Sequence, residues 1–189
     1  QSYSFRIPAT YKDSVLDSQA EDITVSVTFK KASYTLREAE DSQHDGTIAI
    51  NGTVTTQTSF RYDFDDEVSI AAAPKAGYYV KLITAVSADG SVKFELLGTK
   101  PEADTAAGET KTLRFRMPAC DMSYRVEFEK IDYSINKSFN ANQGTVTTSP
   151  DKTAQVQDTV AVTVTPKTGY VLKTLTVTYE GGTKSCVLT

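Results

Sequence analysis

The chain has 189 residues, 39% of them hydrophobic and 23% charged, with a formal net charge of −4 and a pI of about 5.1. That composition is ordinary for a globular protein and the length allows two cores, which argues against disorder. The basic residues are scattered, which excludes nucleic acid and anionic membrane surfaces as partners, and no apolar run approaches the roughly 18–20 residues of a membrane helix.

Threonine and valine are abundant, and the periodic segments alternate with period two, so the expected fold is all-β. The chain opens Gln-Ser-Tyr without methionine or a signal peptide and is expected to be an excerpt or a processed product. Residues 3–9, Tyr-Ser-Phe-Arg-Ile-Pro-Ala, read as a strand ended by proline, and 113–119, Leu-Arg-Phe-Arg-Met-Pro-Ala, repeat it. An acidic loop insertion follows at 11–22. Residues 23–29 then alternate as a half-buried closing strand, Val25, Val27 and Phe29 matching Tyr124, Val126 and Phe128. The pair Phe29 to Tyr34 and Phe128 to Tyr133 sets a repeat of 99 residues.

A unit opens at Tyr34 and again at Tyr133 with a short strand and a polar stretch, which in the first copy is longer, acidic, and followed by extra apolar residues at Ile48 and Ile50. The copies rejoin at Gly-Thr-Val-Thr-Thr, 52–56 and 144–148. A turn ending in Asp66 or Asp158 leads to Val68, Ile70, Ala72 or Val160, Val162, Val164, which present one face to a core. A Pro-Lys-x-Gly turn then delivers Tyr78, Val80, Ile83, Ala85 in one copy and Tyr170, Leu172, Leu175, Val177 in the other. Their offsets of two, three and two call for a β-bulge that keeps both halves on one core, so Tyr170 and Leu175 are expected core residues. A hairpin at Asp89-Gly90 or Gly181-Gly182 leads to a strand in which Cys186 and Leu188 stand where Phe94 and Leu96 stand. Residues 98–110 read as a flexible loop, and two more strands close the unit at Lys130.

This phase gives three parts: 1–31 as the closing strands of a preceding or complemented repeat, 34–130 as a complete repeat of about seven short strands, and 133–189 as the opening strands of a following one. The ends are complementary. Phe5, Ile7, Val25, Val27 and Phe29 are the expected complementing-strand residues, because they repeat core positions that 133–189 lacks. They would be covered within one chain, by strand addition to a neighbouring chain, or within a longer array.

The motifs Gly-Thr-Val-Thr, Asp-x-Val-x-Val, Pro-x-x-Gly-Tyr-x-Leu-x-x-Leu, Phe-x-Met-Pro-Ala and Val-x-Phe-x-Lys, in that order, resemble the divergent internalin-type B-repeat of bacterial surface proteins. Gly77-Tyr78 with Val80, and Gly169-Tyr170 with Leu172, fall on that family's Gly-Tyr-x-Phe motif. The chain departs in having no tryptophan where many members carry one, at Ile83 and Leu175, and in its long repeat. The resemblance implies an exported, extracellular, cell-wall-attached multi-repeat protein with β-grasp-like units; the strand pattern itself favours a compact β-sandwich equally. The expected function is a non-catalytic stalk, spacer or fibre-forming unit of an adhesin-like protein, the alternative a carbohydrate- or protein-binding adhesion module. Expected partners are neighbouring repeats of the same or an identical chain, then a host or cell-wall protein or glycan.

No catalytic set, cofactor or metal site is expected. The single histidine, His44, lies in an acidic loop without a triad partner, and Cys120 and Cys186 occupy non-equivalent positions and read as unpaired thiols. The acidic clusters at 63–67 and 38–41 reduce to one shared aspartate, so Asp66 and Asp158 read as turn residues in preference to calcium ligands. Tyr79, on the strand face opposite Tyr78, is the one candidate for a sugar-stacking platform, though Val171 replaces it in the next copy. Lys81 and Lys173 recur without recurrent asparagines, which disfavours a lysine–asparagine cross-link.

Overall fold

The period-two alternation does become strands: the computed structural model is all-β, with fifteen strands and no helix among the described residues. These are 2–4, 25–179 and 182–186, with the backbone alone described for Tyr179 and 182–186. The chain divides into two units, Gln1–Lys30 and Lys31–Thr189. In the first unit residues 25–30 belong to no strand, and Val25, Val27 and Phe29 are exposed. Phe5 and Ile7 lie outside the described residues.

In the second unit, nine strands build a two-layer sandwich: β1 (Ser33–Glu38), β2 (Gly46–Ile50), β3 (Thr53–Val54), β4 (Ser59–Asp63), β5 (Glu67–Pro74), β6 (Tyr78–Ser87), β7 (Lys93–Leu97), β8 (Lys111–Arg116) and β9 (Met122–Lys130). One sheet has the order β4-β1-β9-β6-β7 and the other β3-β2-β5-β8. Val68, Ile70 and Ala72 of β5, with Leu113 and Phe115 of β8, face Val80, Ile83, Tyr124 and Val126 of β6 and β9 across one core. Each large apolar side chain buried there contributes about 1.5–3 kcal/mol. Phe94 of β7 stacks on Phe115 of β8, ring centroids 4.7 Å apart, and so joins the two layers at their edge.

The expected bulge is present. β6 and β9 pair with Val80 opposite Phe128, then slip so that Ile83 stands opposite Val126, leaving exposed Lys81 as the extra residue. Without that slip, Ile83 and Ala85 would turn to solvent, since a one-residue shift reverses every side chain. The strand count exceeds the seven expected because 59–63, read as part of a turn, pairs antiparallel with β1, and because β3 extends the second sheet.

Six shorter strands follow: β10 (Asp132–Ser134), β11 (Gly144–Ser149), β12 (Thr153–Gln155), β13 (Ala161–Pro166), β14 (Leu175–Tyr179) and β15 (Gly182–Cys186). Among the described residues they form three separate pairs, β10-β12, β11-β13 and β14-β15. The reason lies in the topology of the complete repeat, where β9 is the central strand that bonds to β1 on one side and β6 on the other. Residues 133–189 hold counterparts of β1 and β6 but none of β9 or β8, so nothing joins the pairs. Accordingly Tyr170, expected in a core, is exposed, and Leu175 is only half-buried.

Two alignments between the copies change. β11 pairs with β13 as Gly144 to Pro166 and Val146 to Val164, the pattern that β2 makes with β5 as Gly46 to Pro74 and Ile48 to Ala72. Residues 144–148 therefore correspond to 46–50, not to the identically spelled 52–56. Gly46 and Gly144 confirm it, for a Cβ on either would press on the carbonyl oxygen of Ala73 or Thr165 at the same point of the neighbouring strand. Burial decides the register, since Ile48 and Ile50 are buried and Val54 is exposed. Likewise Cys186 stands opposite Leu175 as Leu96 stands opposite Ile83, so it takes the place of Leu96 and not of Phe94.

Candidate assembly interface

The first candidate surface is the junction between the complete repeat and β10, and it is built largely by residues 98–110. This segment reads as a flexible loop, yet its backbone is bonded on both sides. Gly77 N–H donates to the Ala106 carbonyl and Gly108 N–H to the Tyr78 carbonyl, both at 2.8 Å, while Asp104 N–H donates to the Asp132 carbonyl at 3.0 Å. The Asp104 carboxylate in turn accepts the Ser134 N–H at 2.7 Å, and the Tyr133 hydroxyl lies 3.3 Å from the Thr105 carbonyl. One loop of the complete repeat thus holds the first strand of the next.

Side chains finish this joint. Ile131 is fully buried, and its N–H reaches the Gly77 carbonyl at 2.8 Å. Gly77 has φ of +82°, a left-handed conformation costly for other residues, and a Cβ there would stand 2.7 Å from the Val156 Cβ. The small residue is needed twice over. The Asp132 carboxylate accepts the Lys100 ammonium and the Gln155 amide, both at 2.9 Å. The hydrogen bond from Lys100, then that from Gln155, holds the Asp132 carboxyl below the usual carboxylate range, and the same Asp132 bond raises Lys100.

The second surface is the unfilled face of the half repeat. Tyr78 is 6% exposed and its counterpart Tyr170 49%; Val68 is 1% exposed and its counterpart Val160 37%. Between β13 and β14 lies a groove of about 620 Å³, lined by Phe139, Val146, Val164, Tyr170, Leu172 and Leu175 among others. In the complete repeat the residues equivalent to Val146, Val164, Tyr170, Leu172 and Leu175 lie in the core. Gly169, the counterpart of Gly77, has φ of +86° and no described residue near the position of its Cβ. Phe64, which holds the place of Val156, is exposed. The two halves of a junction are therefore displayed at separate points of the unit.

Of the other residues singled out in the sequence, Tyr79 is buried, with Gly108 against its Cβ, which removes it as a sugar platform. Burial, reinforced by Glu129, pushes its phenol up. Lys81 pairs with Glu129 at 3.3 Å. Asp66 and Asp158 are turn residues in the structure: their carboxylates accept the N–H of Asp63 at 3.1 Å and of Gln155 at 2.9 Å. Asp65 and Glu67 face Arg116. His44 is exposed, its Nε2 3.5 Å from Glu38 Oε1, and burial with Glu38 nearby pushes the Tyr124 phenol up. Cys120 is a free thiol 3.8 Å from Met122 Sδ, its pKa raised by burial. The Cys186 side chain lies outside the described residues.

Residues 135–188 match the family model of the divergent InlB B-repeat domain. The match bears out the resemblance drawn from the Gly-Tyr-x-Leu and Asp-x-Val-x-Val motifs, which fall inside it at 169–172 and 158–162. Neither the curated proteins nor the solved structures gave a match. No helix among the described residues is long and apolar enough to cross a membrane.

Proposed function

We propose that the chain is a non-catalytic repeat module of an exported bacterial surface protein, acting outside the cell as a stalk or spacer that fixes one unit on the next. The observation that carries this reading is the junction through 98–110, where backbone bonds, buried Ile131 and the Gly77–Val156 contact leave little freedom between successive units. A repeat array stiffened this way transmits position through nearest-neighbour contacts. The B-repeat match supports the surface setting. Spin labels on the exposed Lys93 and Lys152 test the rigidity. The expected result is a narrow distance distribution; a broad one, unchanged by Gly77→Val, would overturn the spacer reading.

A second reading, a ligand-binding adhesion module, is favoured by the depression of about 660 Å³ on the outer face of β5 and β8, where Asn51, Ser69, Arg114 and Arg116 offer polar groups. Its occupants would be a host or cell-wall protein or a glycan, and a glycan array without hits would count against the glycan form.

A further inference from the structure

We propose that the free edge of β8 takes up an extended segment of another protein in which acidic and apolar residues alternate, adding it to the second sheet as an antiparallel strand with a carboxylate on Arg114. The inference rests on the second reading above, ligand binding at the outer face of β5 and β8, and names the class of partner.

The backbone fixes which groups are offered. Met117 N–H donates to the Asp66 carbonyl and the Met117 carbonyl accepts the Asp65 N–H, both at 2.9 Å, so its two polar groups turn toward the chain entering β5. The N–H and C=O of one residue point the same way, and the direction alternates along a strand. With Val68 opposite Phe115 and Ile70 opposite Leu113, the groups of Leu113 and Phe115 meet β5, while those of Thr112, Arg114 and Arg116 point away from it. β8 ends its sheet, and among the described residues no backbone group bonds these three from the far side. Such a row is a template for a further strand.

Charge selects what can use it. β8 carries Lys111, Arg114 and Arg116 and no carboxylate, in a chain of net charge −4. Lys111 is matched by Glu109 at 3.0 Å and Arg116 by Glu67 at 3.2 Å, whereas Arg114 is exposed and has no acidic partner among the described residues. The other edges of the sandwich are protected differently: β3 is two residues long, and β4 and β7 carry both signs, Arg61 with Asp63 and Lys93 with Glu95. A second copy of β8 is a poor occupant. The antiparallel register that uses all three outward residues sets Arg114 opposite Arg114, and like charges directly opposite destabilise a pair. A glutamate or aspartate at that position makes an attractive pair instead. On the outer face beside it Ser69, Ala71 and Thr112 are small and leave the depression of about 660 Å³, so an acidic side chain reaches Arg114 unobstructed. Toward the inner face the added strand meets the stacked Phe94 and Phe115 at the edge of the core, which calls for apolar residues between the acids.

The probe is a fluorescein-labelled peptide in which valine and glutamate alternate, and its anisotropy with the intact chain is the readout. It is expected to bind, and either replacing its glutamates by lysine or introducing Arg114→Glu in the chain should weaken binding roughly tenfold. Arg114 forms a hydrogen-bonded pair with the residue opposite, whose side chain shares its face. N-methylation of the glutamates should therefore abolish binding, and N-methylation of the valines should leave it. Hydrogen exchange at Thr112, Arg114 and Arg116 should slow on binding, with Leu113 and Phe115, already bonded to β5, unchanged. No binding, equal binding of the lysine peptide or of polyglutamate, or indifference to which residues are methylated would each overturn the proposal. So would a glycan that binds through Arg114 with unchanged exchange along β8, an outcome that sinks strand addition alone and sustains the ligand-binding reading.

Discussion

In the turn before β6, Tyr78 N–H donates to the Lys75 carbonyl at 3.1 Å after a left-handed glycine; in the corresponding turn of the half repeat, Tyr170 N–H donates to the Lys167 carbonyl at 3.0 Å after another. The aspartate turns agree as closely, with Asp66 and Asp158 each accepting the amide three residues back, next to a left-handed Asp65 or Gln157. Yet Tyr78 is buried and Tyr170 is not. The same local sequence makes the same local geometry in both places, whereas burial depends on a strand more than forty residues away. A turn is satisfied by its own atoms; a core side chain needs a partner supplied by the rest of the sheet.

The comparison breaks most sharply in the core. Ile83→Ala should cost the complete repeat about 2–5 kcal/mol, a large cavity in a packed site. Leu175→Ala should cost the isolated monomer much less, about 1 kcal/mol, because a half-buried leucine is already partly in water. Urea denaturation of both variants checks this, and equal losses would mean that the half repeat is packed as tightly as the complete one.

The glycines sharpen it. Gly77→Ala and Gly169→Ala both place a side chain in a left-handed conformation, costing about 1–2 kcal/mol. Gly77→Ala must also displace Val156, so its loss should exceed that of Gly169→Ala, where the Cβ meets open space. If thermal melts show the order reversed, Val156 is not seated on Gly77 in solution.

The smallest effect is expected from pH. Because Lys100 and Gln155 lower the Asp132 pKa in the folded protein, its contribution is present above the usual carboxylate range and is lost as pH falls through the lowered value. The denaturation midpoint should therefore drop on acidification between about pH 5 and pH 2, and less so in Asp132→Asn. Asp89, held at about 2 by Ser87 and then Ser91, adds the same trend in both variants from the hairpin after β6. An identical pH profile in wild type and Asp132→Asn would remove Asp132 from the junction's energetics.

What the sequence determined by itself is what repeats at short range: the strand alternation, the bulge between Val80 and Ile83, the aspartate turns and the resemblance later matched over 135–188. All are fixed by side chains a few residues apart, through period, steric limits and local hydrogen bonds. The tertiary structure decided the rest. The spelling Gly-Thr-Val-Thr pointed to 52–56, but Ile48 and Ile50 took the register because they fill the core. Residues 59–63 became a strand because β1 offered an edge. Residues 98–110 have a loop's composition, and only the fold shows that their carbonyls and amides meet Gly77, Tyr78 and Asp132. Tyr170 has the sequence of a core residue and the exposure of a surface one, because the free energy of burial belongs to the pair of surfaces and the described half repeat supplies only one of them.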